Sequence, residues 1–341
     1  LFDHSESINY LLTVTKSDEH DAADALAVRL GDLPLAIAQA AATTSNKELS
    51  LTRYLKRLES HRKEHAIRPV PGDDYTDDVA TALWMAVEDA IDGLEGGTKE
   101  AARHQLGALA LLAESGVPTR WLDPTIEQLY DDDSPGTHRD SDEDAHDALT
   151  ELIHRSIVQQ SADGSTTMLH RLQAQVLRES WTNDEHDEAH AAATDLLGSV
   201  NIGKYPSNDT KARRQEALDL VEQLRSIGSQ EHSQILFEYP QTTVSLYRAF
   251  SHASELGLPY EALSLDVAVG ALEVQLGPDH PASLASRDNL AGAYREGGRL
   301  AEAIGQFERL LADCLRVLDT DHPLTAGVRE NLEAARRELA Q

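Results

Sequence analysis

A chain of 341 residues with 40% apolar content can bury more than one core, which excludes a disordered protein and predicts two or three domains. Thirty basic residues against 59 acidic ones give a formal charge of −29. That charge repels phosphate backbones and anionic lipid, so neither nucleic acid nor a membrane is expected as a partner of this chain.

No apolar run approaches the ~20 residues that span a bilayer, and no basic-then-apolar leader opens the chain. One cysteine, Cys314, cannot form an internal disulfide; it falls in an apolar helical pattern with Leu311, Leu315 and Leu318. A reducing, cytoplasmic setting is expected. The chain opens Leu1-Phe2-Asp3 without methionine, and is expected to belong to a longer protein.

Helical periodicity begins at once. Leu11, Leu12 and Val14, then Ala22, Ala25, Leu26, Val28 and Leu30, predict one or two short amphipathic helices closed by Gly31 in a left-handed conformation. Pro34 would cost roughly 3 kcal/mol inside a helix, so it is read as the first-turn residue of a new one, over 35–43, with Asp32 as cap. A further helix is expected over 51–65, and Arg68-Pro69-Val70-Pro71-Gly72-Asp73-Asp74 reads as a linker and domain boundary.

Helices are predicted over 77–94 and 99–114, an acidic loop over 131–144, and a helix over 145–155. The period then changes. Residues 157–160 and 166–170, separated by a five-residue turn containing Asp163-Gly164, predict a β-hairpin, and 172–181 returns to helix. Helices followed by one small hairpin resemble a winged helix. Its only basic cluster, His170, Arg171 and Arg178, is too short to support DNA reading.

The last hundred residues repeat. DHPASLASRDNLAGA at 279–293 and DHPLTAGVRENLEAA at 321–335 share Asp279/Asp321, His280/His322, Pro281/Pro323, Arg287/Arg329, Asn289/Asn331, Leu290/Leu332 and Ala293/Ala335, every pair 42 apart. Helices near 289–295 and 300–318 lie between them. A preceding unit, 243–256 and 259–276, has the same plan, so a two-helix solenoid is predicted. Asp279 and Asp321 are expected to cap the following helices, with Pro281 and Pro323 in the first turn.

This repeat, with Gly277-Pro278-Asp279-His280-Pro281 as its connection, resembles the long tetratricopeptide variety of kinesin light chains and many bacterial proteins. Upstream, Leu30-Gly31-Asp32-Leu33-Pro34-Leu35-Ala36 resembles the G-L-P-L-A motif of NB-ARC signalling ATPases of the STAND class. Met168-Leu169-His170-Arg171-Leu172 resembles the M-H-D-L or V-H-R-L motif of their winged helix, and Asp74-Tyr75 with Val79-Ala80-Thr81 is similar to the start of that domain in actinobacterial members.

The resemblance implies a mainly α fold: a helical lid over 1–68, a winged helix with one small β-hairpin over 74–182, a helical linker over 183–240, and an α-solenoid of tetratricopeptide repeats over 241–341. It also implies that Pro34 packs on adenine and His170 hydrogen-bonds the β-phosphate of ADP, in the intact protein only, since the phosphate-binding loop of such ATPases lies upstream of the lid. The fragment itself is expected to hold no cofactor. Arg171 stands where many members carry Asp. The implied partners are that upstream ATPase core and a protein or peptide bound by the repeats.

Two motifs are decoys. Gly198-Ser199-Val200-Asn201-Ile202-Gly203-Lys204-Tyr205 fits G-x-x-x-x-G-K, but Tyr replaces the magnesium-binding hydroxyl and a helix is expected where a strand is needed. His186-Asp187-Glu188-Ala189-His190 approaches H-E-x-x-H without the general-base glutamate or a third ligand, and His61/His65 share its spacing. With no nucleophile constellation either, the chain is not expected to be an enzyme. The readings are then, in order, the regulatory and sensor portion of a STAND protein, a helical scaffold with no nucleotide role, and, last, a hydrolase.

Overall fold

The computed structural model describes residues 2–64, 76–126 and 139–341. The expected linker at 68–74, the Asp74-Tyr75 pair, His65 and most of the acidic loop expected at 131–144 lie outside the described residues. The protein is mainly α. In chain order the elements are α1 (His4–Thr15), α2 (His20–Arg29), α3 (Pro34–Asn46), α4 (Leu51–Glu64), α5 (Asp77–Asp92), α6 (Gly96–Leu111), β1 (Val117–Pro118), α7 (Thr119–Leu122) and α8 (Arg139–His154). Then come β2 (Val158–Gln160), β3 (Thr166–Leu169), α9 (Arg171–Ser180), α10 (Asn183–Ser199), α11 (Thr210–Ser229), α12 (Pro240–Glu255), α13 (Pro259–Leu263), α14 (Asp266–Leu276), α15 (Pro281–Glu296), α16 (Leu300–Val317) and α17 (Pro323–Leu339). The chain divides into two compact units, Leu1–Ala110 with Glu114–Ala189, and Leu111–Ala113 with His190–Gln341.

In the first unit, α1 opens with a capping box: the Asp3 side chain accepts from the Ser5 N–H, and the Asp3 N–H donates to Glu6 at 2.8 Å. Helix α2 ends as Gly31 predicts. Gly31 takes φ +59°, its N–H donates to Val28 O at 3.2 Å, and the Asp32 N–H donates to Ala27 O at 3.1 Å, which closes the last turn.

Pro34 then starts α3, but its cap is Leu33 and not Asp32. Asp32 is itself left-handed at φ +54°, and its carboxylate accepts from His4 at 3.0 Å, so it cannot serve the next helix. Leu11, Leu26, Leu30, Ile37, Tyr54 and Leu58 of α1–α4 share one core with Val79 and Leu83 of α5 and Val176 of α9. The helices before and after 65–75 therefore bury their apolar faces on each other.

A buried charge pins the same helices. Asp89 of α5 accepts from both terminal nitrogens of Arg57 and from Lys47 at 2.5 Å. Burial alone would raise its carboxyl; Arg57 and Lys47 hold it below the usual value.

The expected hairpin forms as β2 and β3, with Val158 opposite Leu169. Gly164 takes φ +71° in its turn, and Asp163 accepts from Ser161 and Ser165, whose hydroxyls hold its carboxyl down to about 2. A third strand, β1, pairs antiparallel with β3 and makes the order β1-β3-β2. The sequence reading missed it because two residues ending in Pro118 show no alternation, and proline fits only an edge strand. Gly116 admits the chain there: its φ is +110°, and a Cβ would stand 2.4 Å from the Thr166 side chain.

In the second unit, Gly228 lets α11 cross α14 at close range, for a Cβ there would stand 2.7 Å from the Ala268 backbone. Three helices then begin alike. Pro240, Pro281 and Pro323 open α12, α15 and α17, and Thr242, Ser283 and Thr325, each two residues on, are fully buried. Pro240 thus belongs to the repeat three residues ahead of the expected start.

The helix expected over 259–276 is broken into α13 and α14. At the break the Ser264 hydroxyl donates to Glu261 O at 2.7 Å, the local bond by which serine competes with helix propagation. Helix α16 lays Phe307, Leu310 and Cys314 against Leu284 of α15 and Val328 and Leu332 of α17. Burial pushes the Cys314 thiol up, as a packed cysteine requires.

Candidate functional site

Pro34 lies at the first position of α3, partly exposed, where its missing N–H leaves no helical bond unmade. His170 follows β3 and is the N-cap of α9, with its Nδ1 accepting from the Leu172 N–H at 3.2 Å. An acceptor at Nδ1 places the proton of the neutral ring on Nε2, which faces away from the cap as a donor. Partial burial, and then the Arg171 charge, hold this imidazole below the usual histidine value. Both residues lie in the first unit.

Their helices are joined inside it. Gln39 of α3, buried, donates to Gln173 of α9 and to Ser156 O at 3.1 Å, and Gln173 donates to Leu83 O at 3.4 Å. At 1.5 Å per residue Pro34 stands ~7.5 Å along α3 from Gln39, and His170 ~4.5 Å along α9 from Gln173. Leu33, Leu35 and Leu172 pack against the same apolar cluster.

His280 and His322 repeat the His170 geometry. They, and not Asp279 or Asp321, cap α15 and α17, with Nδ1 accepting from the Ala282 and Leu324 N–H groups at 3.2 Å. Proline at the first helical position has no N–H to offer, so the imidazole reaches the next one. Asp279 instead receives both terminal nitrogens of Arg316, at 2.6 and 2.8 Å, which hold its carboxyl below the ordinary value. The Asp321 N–H donates to Asp319.

The decoys resolve into structural roles. Gly198 lies in the last turn of α10, the Asn201 side chain accepts from the Gly203 N–H at 2.8 Å, and Lys204 pairs at 2.9 Å with the fully buried Glu216, so no phosphate loop is formed. His186 meets the Trp181 ring edge-on, His190 bonds the Tyr239 hydroxyl at 3.2 Å, and His61 packs against Trp84. Among the described residues no group of three or more His, Cys, Asp or Glu side chains is placed to hold a metal ion.

The second unit carries a groove of about 700 Å³. Its walls are the first helices of consecutive repeats: Tyr247, Phe250 and Glu255 of α12, Asp288, Asn289, Gly292 and Glu296 of α15, and Asn331 of α17. Asn331 donates to Asp288 at 3.2 Å. The Asn289 side-chain amide makes no hydrogen bond among the described residues, and a Cβ on Gly292 would meet nothing within 4 Å. The sequence reading did not assign this site. Its available signal was the Asn289/Asn331 identity at a helix position that packs no core.

A family model described as tetratricopeptide repeat matches residues 283–324. This segment carries a tetratricopeptide repeat. The match runs from the first turn of α15 through α16 to the start of α17, the same 42-residue period as the internal identities, and it includes the α15 wall of the groove. No curated protein matches the chain. Among the described residues no helix is long and apolar enough to cross a membrane.

Proposed function

We propose that the chain is a protein-interaction arm whose tetratricopeptide groove holds an extended segment of a protein partner. The observation that carries this reading is the groove itself, a preformed concavity between α12, α15 and α17 with the Asn289 amide unbonded and the Gly292 wall open. An amide offers both a donor and acceptors to a peptide backbone, and repeat arrays use such concave surfaces for recognition.

Selection of a phage-displayed random ten-residue peptide library against the full chain tests it. A Cβ at position 292 meets nothing within 4 Å, so Gly292→Leu has room at its base to project into the groove, and leucine improves helix propensity; an unchanged melting temperature checks that the fold is retained. Selected peptides should bind the wild-type chain and lose binding to Gly292→Leu; peptides that bind both equally overturn the assignment.

The first unit supports a second, finer reading, as the lid and winged helix of a STAND-class ATPase. The observation favouring it is that α3, which Pro34 begins, is bridged through Gln39 to α9, which His170 caps with its Nδ1, leaving the Nε2–H as a donor. In this reading an ATPase core outside this chain binds ADP, Pro34 offers an apolar face to the base and His170 a proton donor to a phosphate oxygen. Partner binding at the repeats then favours the open state through its differential affinity for the two conformations. A polypeptide carrying both the core and this chain should retain ADP through purification and lose it in His170→Ala; equal retention reduces His170 to a helix cap.

A further inference from the structure

The groove carries a charge preference as well as a shape. Resting on the groove-binding reading above, we infer that its occupant is a basic segment, with a lysine or arginine side chain seated against Asp288.

Three carboxylates line the groove, Glu255, Asp288 and Glu296, against one cation, Arg295, which is itself drawn to Glu338 at 3.8 Å. Two of the three are engaged: Glu255 is paired with Arg213, and Glu296 accepts from the Ser254 hydroxyl at 2.8 Å. Asp288 differs in its burial: Glu296 is exposed, whereas Asp288 is half-buried, receives only the neutral Asn331 amide, and has no cation within ion-pair distance among the described residues.

A carboxylate in that position lacks both full hydration and an ion-pair partner at contact distance. Its burial pushes the carboxyl above the ordinary value, against the weaker pull of Asn331 and Arg295. An incoming ammonium or guanidinium supplies the missing charge, whereas an acidic segment would face three carboxylates. The neighbouring Asn289 amide is free to hold the peptide backbone, and the side-chain-free Gly292, one turn further along α15, gives a long side chain room to enter. The chain's overall charge of −29 brings such a segment toward the surface, but bulk attraction alone selects no groove.

The peptide selection separates these possibilities once its output is sequenced. Among peptides that lose binding to Gly292→Leu, lysine and arginine should be enriched and aspartate and glutamate depleted relative to the starting library. A synthetic copy of one such peptide, titrated by fluorescence anisotropy, should bind Asp288→Asn at least fivefold more weakly than wild type. The variant's melting temperature should be unchanged or raised, because the substitution removes a desolvated charge and keeps the side chain's shape. Groove-dependent peptides without basic enrichment, or equal affinity for Asp288→Asn, overturn the charge inference and leave the groove reading standing. The absence of any Gly292-dependent peptide overturns both.

Discussion

His170 in the first unit and the pair His280/His322 in the second make the same bond: Nδ1 accepts from a backbone N–H two residues on, at 3.2 Å in all three. Their settings differ. His280 and His322 precede prolines in a solenoid, where capping accounts for the conserved spacing within the repeat; His170 joins a strand to a helix bridged by Gln39 to the helix that Pro34 begins. A motif match at His170 therefore proves nothing by itself, because a capping role alone would select the same residue. In the proposed nucleotide reading, what sets His170 apart is the proton on its other nitrogen.

The two units hold their helices together by different means, a buried charge in the first and a close helix crossing in the second. Asp89→Ala strips the partner from Arg57 and Lys47 in the first unit, and should cost about 3 kcal/mol, the low end for breaking a buried pair because both cations can turn to solvent. Gly228→Ala forces a methyl into the α11–α14 crossing of the second unit, at a cost of about 2 kcal/mol. Calorimetry should show each variant lowering a different transition if the units melt separately. A single transition lowered by both, more by Asp89→Ala than by Gly228→Ala, would show that they unfold as one.

The caps sharpen the comparison at a smaller scale. His280→Ala and His322→Ala should each cost about 1 kcal/mol, and His→Asn at either position should restore most of it. His170→Asp is the discriminating change, for a carboxylate accepts the Leu172 N–H as well as Nδ1 does but offers no proton and carries a repelling charge. Chemical denaturation should find it within about 0.5 kcal/mol of wild type, while a core-bearing polypeptide with this change should no longer retain ADP. Loss of stability comparable to His170→Ala would show that the imidazole has packing contacts that its capping bond does not account for.

Much of the scaffold was legible because it is written in punctuation and period. Gly31 followed by Pro34 marked the α2–α3 junction, the change from helical to alternating spacing marked the hairpin, and identities 42 apart marked the helical repeats, within which the family match finds a tetratricopeptide repeat at 283–324. What escaped was decided by tertiary context. Asp outranks His as a cap in general, yet Arg316 takes Asp279 and leaves the cap to His280. Strand β1 is too short to have a period, and the break at Ser264 is accompanied by a single local hydroxyl bond that leaves no mark on the helical period. The groove was hidden for a deeper reason: Tyr247, Asp288 and Asn331 come from three different repeats, and the missing cation at Asp288 is visible only when their helices stand side by side. Pro34 and His170 were singled out by resemblance, and periodicity carries no trace of their role.

The finest test of the histidine comparison is pH, because the shifts have opposite signs. His170 titrates below its ordinary value of 6.5, so the fold favours the neutral ring: its stabilisation is present above that pH and is lost as pH falls through the lower folded value. His146 is raised by its hydrogen bond to Asp123 at 2.8 Å, and His4 by its bonds to Asp32 and then Asp24. Their stabilisation is complete below 6.5 and is lost as pH rises through their folded values. Imidazole resonances followed by NMR should therefore titrate in the order His170 first on the acid side, then His4 and His146 above 6.5. Protonation of His170 must also destroy the Nδ1 acceptor, so the Leu172 amide should lose hydrogen-exchange protection over the same interval, and His170→Asp should abolish that change. A His170 that titrates with or above His146 would mean that the ring is not held as the cap requires, and the outward Nε2–H would lose its structural basis.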